Sequence, residues 1–382
     1  MSRWEKVRLG DVATYINGFA FKPSDWKKEG LPIVRIQNLN NEDAEFNYTD
    51  RVVDRKYLID DGDVLISWSA SLGVYIWNRG KALLNQHIFK VVFDKCEVDK
   101  IYFTFAIMRI LDVIARKTHG STMKHITKTN FDSTLIPLPP IDIQTQVARK
   151  LSLVSELLSL HKSQLMQMDH LINSVFYEMF GDPTRNEHGW EKKSISEICI
   201  INPNKSELGK INDHTLVSFI PMNSVSETGA IDSGQTREYH EVKTGYTYFR
   251  ENDVLFAKIT PCMENGKGAV ARNLCNGIGF GSTEFHVLRP IGHLTDSEWL
   301  YRLTSLPDFR INAEKNMTGS AGQKRVPTSF FDKFSVGLPP LALQQKYAKI
   351  VKQIETQKSL IKQSIDETQR LFNSLMSKYF DD

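Results

Sequence analysis

The stretch PLPPIDIQTQVARKL at residues 137–151 decides the organisation of this 382-residue chain. Three prolines in four residues end a preceding strand, because proline has no N–H group for a sheet ladder, yet proline fits the first turn of a helix. A related stretch, GLPPLALQQKYAKIV, follows at residues 337–351. Each stretch therefore predicts the end of a folded domain and the start of a helix.

The recurrence extends beyond these two stretches and indicates an internal duplication. Residues 131–182 and 331–382 align without a gap and share 15 of 52 residues. Upstream the match is weaker, but DGDVLIS at 61–67 recurs as ENDVLFA at 251–257. The domains of the two modules differ more than their helices do. This suggests that the two domains recognise different targets while the helices provide a shared scaffold.

The fold class predicted from these patterns is α+β, with two strand-rich domains separated by two long helices that form an antiparallel coiled coil. Segments rich in β-branched and aromatic residues, such as PIVRIQNL at 32–39, DVLISWS and EFHVLRP, predict strands. Residues 101–117 and 296–315 have the pattern of amphipathic helices. The predicted boundaries are 1–140 for the first domain, 141–182 for its helix, 183–338 for the second domain and 339–382 for its helix.

A heptad pattern follows each proline pair, with apolar residues at alternating spacings of three and four and no Pro or Gly inside. Because both helices lie in one chain with matching registers, we expect each to pair with the other. The alternative is that each helix packs only on its own domain. The predicted seam residues are Val147, Leu151, Val154, Leu158, Leu165 and Ile172 in the first helix and Val351, Ile354, Ile361, Ile365 and Phe372 in the second.

A basic loop introduced by Gly-Ser occurs at the same place in both domains, and neither loop contains an acidic residue. Glycine lets the backbone approach a partner closely, and Lys, Arg and hydroxyl groups contact DNA phosphates. The alternative is an ordinary solvated loop. The candidate DNA-binding residues are Ser121, Thr122, Lys124, His125, Lys128, Gln323, Lys324 and Arg325, with Arg35, Gln37 and Asn38 as candidates at the end of a predicted strand.

Composition narrows the functional classes. The chain has 41% hydrophobic and 24% charged residues, a net charge of +3 and no apolar run of about 18 residues, so we expect no membrane span and a cytoplasmic protein. The four cysteines are far apart and show no zinc-type spacing, so no metal site is expected. No phosphate-binding loop or recurring nucleophile–base pair occurs, which predicts a chain without catalysis of its own.

Taken together, the chain resembles the specificity (S) subunit of Type I restriction–modification systems. The motifs that carry the resemblance are PLPPIDIQTQ at 137–146, GSTMKHI at 120–126 and NSVFYEMFGDP at 173–183. The second domain departs from this pattern, since it reads GSAGQKR at 319–325. Its loop is therefore expected to contact DNA differently.

The resemblance implies a specificity subunit that recognises a bipartite site on double-stranded DNA, with one half read by each target recognition domain. It also implies two methyltransferase (M) subunits and motor–nuclease restriction (R) subunits as partners. S-adenosylmethionine, ATP and magnesium are expected in those subunits, and no cofactor is expected in this chain. The alternatives are a two-headed protein–protein scaffold without DNA readout and a fused restriction–methylation enzyme, which the missing motifs argue against.

Overall fold

The computed structural model describes residues 4–69, 71–117, 128–320 and 322–381, without the side chains of residues 114–117. The chain divides into two compact units. The first unit contains Met1–Ser163 and Lys362–Asp382, and the second contains Gln164–Ile361. Within the described residues, no helix combines the length and the apolar content needed to cross a membrane.

In the described residues, the first unit begins with ten short strands and four α-helices. The strands are β1 (Lys6–Arg8), β2 (Thr14–Asn17), β3 (Leu31–Val34), β4 (Asn47–Thr49), β5 (Leu58–Ile59), β6 (Val64–Ser67), β7 (Gly73–Ile76), β8 (Ala82–Leu84), β9 (Ile88–Val92) and β10 (Leu135–Pro137). The helices are α1 (Leu9–Val12), α2 (Ile36–Asn40), α3 (Lys100–Lys117) and α4 (Lys128–Asp132), followed by the long helix α5 (Ile141–Phe180).

The second unit repeats this arrangement with ten further strands. The strands are β11 (Lys192–Ser194), β12 (Cys199–Ile201), β13 (Leu216–Ile220), β14 (Thr236–Glu238), β15 (Thr247–Arg250), β16 (Val254–Ala257), β17 (Gly268–Val270), β18 (Ile278–Gly281), β19 (Phe285–Pro290) and β20 (Ser335–Gly337). The helices are α6 (Ile195–Ile198), α7 (Tyr239–Val242), α8 (Ser297–Ser305), α9 (Pro307–Lys315) and α10 (Ser329–Lys333), followed by the long helix α11 (Leu341–Phe380).

Both units have the same sheet topology, which confirms the duplication. One sheet is antiparallel, with strand order β2-β9-β6-β7 in the first unit and β12-β19-β16-β17 in the second. The other sheet has order β4-β3-β8-β5 or β14-β13-β18-β15, and its central pair is parallel in both cases. A two-stranded ribbon, β1 with β10 or β11 with β20, leads into each Leu-Pro-Pro triplet.

The glutamine four residues after each second proline has a structural role. Gln144 is buried, and its amide nitrogen donates a 2.8 Å hydrogen bond to the Pro139 carbonyl while its oxygen accepts one of 2.9 Å from the Asp99 amide. Gln344 makes the equivalent bonds to the Pro339 carbonyl (2.8 Å) and from the Asp296 amide (2.9 Å). Each glutamine thus ties the start of a long helix to the residue before α3 or α8.

The two long helices run antiparallel within the first unit. The start of α5 places Val147 and Leu151 in the same buried cluster as Met376 and Phe380 from the end of α11. That cluster also contains residues of α3 and both ends of the antiparallel sheet, and Tyr102 lies 5.3 Å from Phe380 between ring centroids. Each helix is therefore part of the domain core as well as a partner of the other helix.

In the second unit, the end of α5 pairs with the start of α11. Ile172, Phe176 and Phe180 from the end of α5 share one buried cluster with Tyr347 and Val351 from the start of α11. The Phe176 and Tyr347 rings meet edge to face at 5.4 Å, a geometry that contributes about 0.5–1.5 kcal/mol beyond burial. The choice between helix pairing and packing on a domain is therefore not exclusive, because the ends of both helices do both.

All eleven predicted seam residues are buried or half-buried. The most buried are Leu151, Ile172 and Val147, whereas Val154, Leu165, Ile365 and Phe372 remain partly exposed. A lysine, Lys358, also lies on this buried face, and its ammonium group reaches Asp169 at 2.6 Å and Glu355 at 2.7 Å. The residues of the heptad pattern therefore lie on the face that each helix buries.

Two local predictions are wrong. The helix predicted over 296–315 is two helices, α8 and α9, because Pro307 cannot continue the ladder of α8 and instead starts α9. The strand predicted to continue to Leu39 ends at Val34, and Ile36–Asn40 form α2. The β-branched content of this segment therefore predicts the strand correctly only as far as Val34.

The buried guanidinium of Arg310 connects several backbone segments of the second unit. Arg310 in α9 lies 4.3 Å above the Phe256 ring and donates hydrogen bonds to four backbone carbonyls, those of Thr304, Met263, Gly266 and Lys267. Burial lowers the pKa of this guanidinium to about 10. Because no carboxylate pairs with it in the described residues, its charge is balanced by carbonyl dipoles.

Candidate nucleic-acid interface

The Gly-Ser loop of the second unit is held against the end of β16. The Thr318 and Arg325 backbones exchange hydrogen bonds of 3.0 and 2.8 Å, and the Val326 amide donates to the Lys258 carbonyl at 2.9 Å. Gly319 has φ +120°, and a Cβ there would lie 3.0 Å from the Gln323 carbonyl oxygen. The loop therefore needs glycine at this turn and presents residues 320 and 322–324 to solvent.

Arg325 is not a free cation. Its guanidinium donates two hydrogen bonds to the Glu284 carboxylate, Nε to Oε2 at 2.9 Å and Nη2 to Oε1 at 2.8 Å. The hydrogen bonds from Arg325 hold the pKa of Glu284 below its usual value. Arg325 therefore clamps the loop to the turn before β19, which is a positioning role that the sequence alone does not reveal.

Lys324 and Gln323 are the exposed members of this loop. The Lys324 ammonium has no ion pair or hydrogen bond among the described residues, so its charge is available to a partner. Lys258, beneath the loop, is half-buried, and burial lowers the pKa of its ammonium group. The loop thus presents the exposed ammonium group of Lys324, which has no ion pair in the described residues, beside the half-buried one of Lys258.

In the corresponding loop of the first unit, the structure describes one predicted residue, Lys128. Ser121, Thr122, Lys124 and His125 lie outside the described residues. Lys128 begins α4, is exposed, and pairs with Asp132 at 3.3 Å in an i,i+4 contact. Such surface pairs contribute little, so this pair leaves the Lys128 ammonium able to change partners.

The three candidates near β3 behave differently from one another. Arg35 donates a 3.1 Å hydrogen bond to Asn47 and lies 5.5 Å above the exposed Trp26 ring, while Gln37 is exposed. Asn38 is fully buried, and its amide donates to the Ala44 and Glu45 carbonyls at 3.1 Å. The prediction that Asn38 faces bases is therefore corrected: its polar atoms are used inside the domain.

The two units carry different side chains at equivalent positions, which lie at the end of the β6–β9 pair in the first unit and of the β16–β19 pair in the second. In the first unit the Trp68 amide donates to the His87 carbonyl, and in the second the Lys258 amide donates to the Glu284 carbonyl. The Trp68 ring contacts His87 at 5.0 Å and stacks on Phe89 at 5.5 Å between centroids. The same backbone hydrogen bond therefore joins two aromatic residues, Trp68 and His87, in the first unit and two charged residues, Lys258 and Glu284, in the second. The signal in the sequence is the residue directly after each repeated segment, DGDVLIS at 61–67 and ENDVLFA at 251–257, which is Trp68 in the first copy and Lys258 in the second.

A basic and aromatic surface of the first unit is absent from the sequence prediction. It joins the connections after β2 and β4, because Arg51 pairs with Asp25 at 2.7 Å and lies 4.9 Å above the Phe19 ring. The Phe19 and Tyr57 rings meet at 5.4 Å. We call this the basic-aromatic surface; its exposed cations are Lys22, Lys27, Lys28, Arg51, Arg55 and Lys56.

Cations interleaved with aromatic rings are the chemistry that binds nucleic-acid backbones and bases. In the sequence, the cations of this surface are scattered over 35 residues with seven acidic residues among them, which hides the surface. The fold brings these cations together at the sheet edge, where the Lys27 amide donates a 2.8 Å hydrogen bond to the Tyr48 carbonyl.

The chain matches one protein-family profile twice. A sequence-family profile described as the Type I restriction modification DNA specificity domain matches residues 1–168 and again residues 187–370. The two matches correspond to the two copies of the duplication.

Individual relatives match over shorter regions. The chain is 38% identical over 208 residues to the Type I restriction enzyme EcoEI specificity subunit of Escherichia coli, which covers 52% of this chain and 34% of that protein. It is 40% identical over 159 residues to the EcoAI specificity subunit of the same species, covering 41% and 26%. The matches therefore span about a third and about a quarter of these two relatives.

A more distant relative aligns over almost the full length. The Type I restriction enzyme StySPI specificity subunit of Salmonella potsdam is 20% identical over 406 residues, covering 97% of this chain and 86% of that protein.

Two solved structures share the fold. The Type I restriction–modification S subunit from M. genitalium superposes with a TM-score of 0.55 at 14% identity, covering 100% of this chain and 97% of that one. A chain solved in work on complex assembly and conformational transition of the type I restriction–modification system gives a TM-score of 0.59 at 17% identity, covering 98% and 97%. At these identities the likeness establishes the architecture alone.

Proposed function

This chain belongs to the family of Type I restriction–modification DNA specificity proteins, and on that premise we propose that it recognises a bipartite site on double-stranded DNA. One observation carries the proposal: two domains of identical strand order hold different side chains at equivalent positions, Trp68 and His87 against Lys258 and Glu284. Two domains with the same backbone fold but different surface side chains are suited to recognise two different half-sites.

In this proposal, phosphate contacts come from the exposed cations and base contacts from neighbouring polar or aromatic groups. Lys324 is free to approach a phosphate, while Arg325 and Glu284 hold its loop in place. In the first unit the basic-aromatic surface supplies the same chemistry. Phosphate contacts position a protein on the duplex, and sequence is read at base edges.

In this proposal, the long helices determine the spacing between the two half-sites. When one domain is bound, the other meets its half-site at a high effective concentration, provided that the connection permits both contacts. Helices α5 and α11 are each 40 residues long and are shared by both units. We therefore expect the helices to set the length of the unread spacer between half-sites.

An exposed apolar stripe on α5 suits the proposed methyltransferase partners. Leu153, Leu157 and Leu160 are 58%, 42% and 59% exposed and follow one helix face at spacings of four and three. The second helix has Gln353, Gln357 and the exposed Leu360 at the same positions. We propose that two methyltransferase subunits dock on these faces with unequal apolar contact.

The chemistry is assigned to those partners. In this proposal the chain holds no cofactor, S-adenosylmethionine binds the methyltransferase subunits, and ATP and magnesium bind the motor–nuclease subunits. The first test is to assay DNA methylation with the chain alone, the methyltransferase subunits alone, and both together. Methylation at a bipartite site should appear only with both. Methyl transfer by this chain alone would exclude a purely non-catalytic role.

A second test addresses DNA contact directly. Changing Lys324 to Gln should weaken duplex binding and lower the salt dependence by about one counterion, since each phosphate contact adds about 0.9 to the slope. Lys352→Gln, on the exposed face of α11, is the matched control and should leave both unchanged. If binding is insensitive to salt in the unmodified assembly, a protein scaffold becomes the better interpretation.

A third test addresses the spacer. Inserting seven residues into both α5 and α11, at their Ser163–Gln164 and Ile361–Lys362 junctions, preserves the seam and lengthens each helix by about 10 Å. The preferred spacer should lengthen while both half-sites stay the same. An unchanged spacer would contradict the role given to the helices.

A further inference from the structure

A cluster of two histidines and a glutamate lies at one edge of the second unit, and no role in the proposed function uses it. It contains His214, before β13, Glu238 at the end of β14, and His240 in α7. The Nδ1 atoms of both histidines approach the same carboxylate oxygen, Oε2 of Glu238, at 2.7 Å for His214 and 3.2 Å for His240.

The backbone brings the two histidines together by a regular mechanism. In the β13–β14 ladder Leu216 lies opposite Glu238, so continuing the antiparallel register by two residues sets His214 opposite His240. The Tyr239 amide donates to the Thr215 carbonyl at 2.8 Å, and the His240 amide donates to the Asp213 carbonyl at 2.9 Å. Side chains directly opposite on such a ladder have Cβ atoms about 5 Å apart.

We propose that His214, Glu238 and His240 bind a divalent transition-metal ion, with zinc as the expected occupant. Their donor atoms all lie within 4.8 Å of one another. Zinc bonds of about 2.0–2.2 Å hold tetrahedral donors about 3.3 Å apart, so the ion needs side-chain shifts of about 1 Å or less. Two imidazoles and one carboxylate also occur as a zinc ligand set that leaves a fourth position open.

The surroundings leave the cluster accessible and dispensable for folding. His214 and His240 are exposed, and Glu238 is half-buried. The Nδ1 atom of His240 also lies 3.2 Å from the Asp213 carbonyl, a contact that metal binding would replace, while the Asp213 carboxylate is held by Lys243 at 2.9 Å. The ion would therefore meet one carboxylate rather than two.

The first unit shows that the fold does not require these residues. The sheet edge that corresponds to β13–β14 is β3–β4. At the offset of 186 that relates β3 to β13, His214 corresponds to Lys28, and residues 47–54 contain no histidine. The ligand set is thus a feature of the second domain alone, and the ion would fix the connection before β13 to the turn after β14 in that domain only.

The test uses the full chain without a polyhistidine tag, freed of metal and titrated calorimetrically with zinc. We expect one equivalent to bind, and Glu238→Gln, His214→Gln and His240→Gln each to weaken binding by more than about tenfold, since even outer-shell changes cost about 10–100-fold. His170→Gln, an exposed histidine on α5, is the matched control and should bind like the unmodified chain. Magnesium should not compete, because imidazole ligands favour zinc-like ions.

A second measurement does not depend on the variants. Zinc should slow hydrogen exchange at the Tyr239 and His240 amides, which bridge the pair, and leave the β3–β4 edge of the first unit unaffected. Cobalt should give the visible absorption of a low-coordinate site. Absence of saturable binding near one equivalent, or equal binding by His214→Gln and the unmodified chain, would overturn the proposal.

Discussion

Replacing Gln344 by leucine removes three buried hydrogen bonds while keeping nearly the same side-chain volume. The glutamine is fully buried, donates to the Leu294 and Pro339 carbonyls at 3.0 and 2.8 Å, and accepts from the Asp296 amide at 2.9 Å. Each bond contributes about 0.5–1.5 kcal/mol net, so the free energy of unfolding of the second unit should fall by about 3 kcal/mol.

The assay must report on the second unit by itself, because a chain with two units need not unfold in one step. Hydrogen exchange at the amides of α8, just after Asp296, reports the local opening directly. For a unit of this size, which spans Gln164–Ile361, about 3 kcal/mol corresponds to a midpoint about 6–12 °C lower in thermal unfolding.

The adjacent Gln345 provides the matched control. It is exposed, so Gln345→Leu makes the same chemical change one residue away and should alter stability by no more than about 0.5 kcal/mol. If the two variants unfold alike, the buried hydrogen bonds do not hold the start of α11 to α8. Gln144→Leu, with two such bonds, should cost about 2 kcal/mol in the first unit.

Three further predictions concern buried or paired polar groups. Arg310→Met should lower the free energy of unfolding of the second unit by about 3 kcal/mol or more, because four carbonyls lose their donor; urea unfolding measures this. Asn38→Leu removes hydrogen bonds to the Ala44 and Glu45 carbonyls and from the Arg35 amide, and should cost the first unit about 3 kcal/mol. The exposed Gln37→Leu should cost little, and equal losses would contradict the structural role given to these bonds. The Arg325 pair lowers the pKa of Glu284, so its contribution to stability is present above the ordinary value of 4.5 and is lost as pH falls below it. Glu284→Gln should therefore show a smaller loss of urea stability between pH 7 and pH 4 than the unmodified chain, and an unchanged difference would contradict this.

The two long helices and the duplicated domains were open to prediction because local patterns encode them. Pro139-Pro140 and Pro339-Pro340 mark the start of each helix, and the heptad spacing marks its buried face. Repeated segments such as Asp-Val-Leu mark equivalent strands, β6 and β16. Proline geometry and apolar spacing act over a few residues, so they survive the divergence of the domains.

The candidate site was less predictable because its electrostatics depend on distant residues. Arg325 reads as a free cation until Glu284, 41 residues earlier, is placed beside it. Asn38 reads as an exposed polar residue until the turn at Ala44 and Glu45 closes over its amide. The metal cluster is hidden in the same way, since His214 and His240 meet only through the strand register.

The division of each long helix between the two units has a consequence for how the chain is made. The core of the first unit includes Met376 and Phe380, which leave the ribosome about 200 residues after Leu151. At about 5–20 residues per second, the amino-terminal domain waits roughly 10–40 s for its last contacts. The first domain therefore cannot complete its interior until this part of α11 has been made, and a stop codon before Met376 would remove part of a core whose other residues are encoded more than 200 codons earlier.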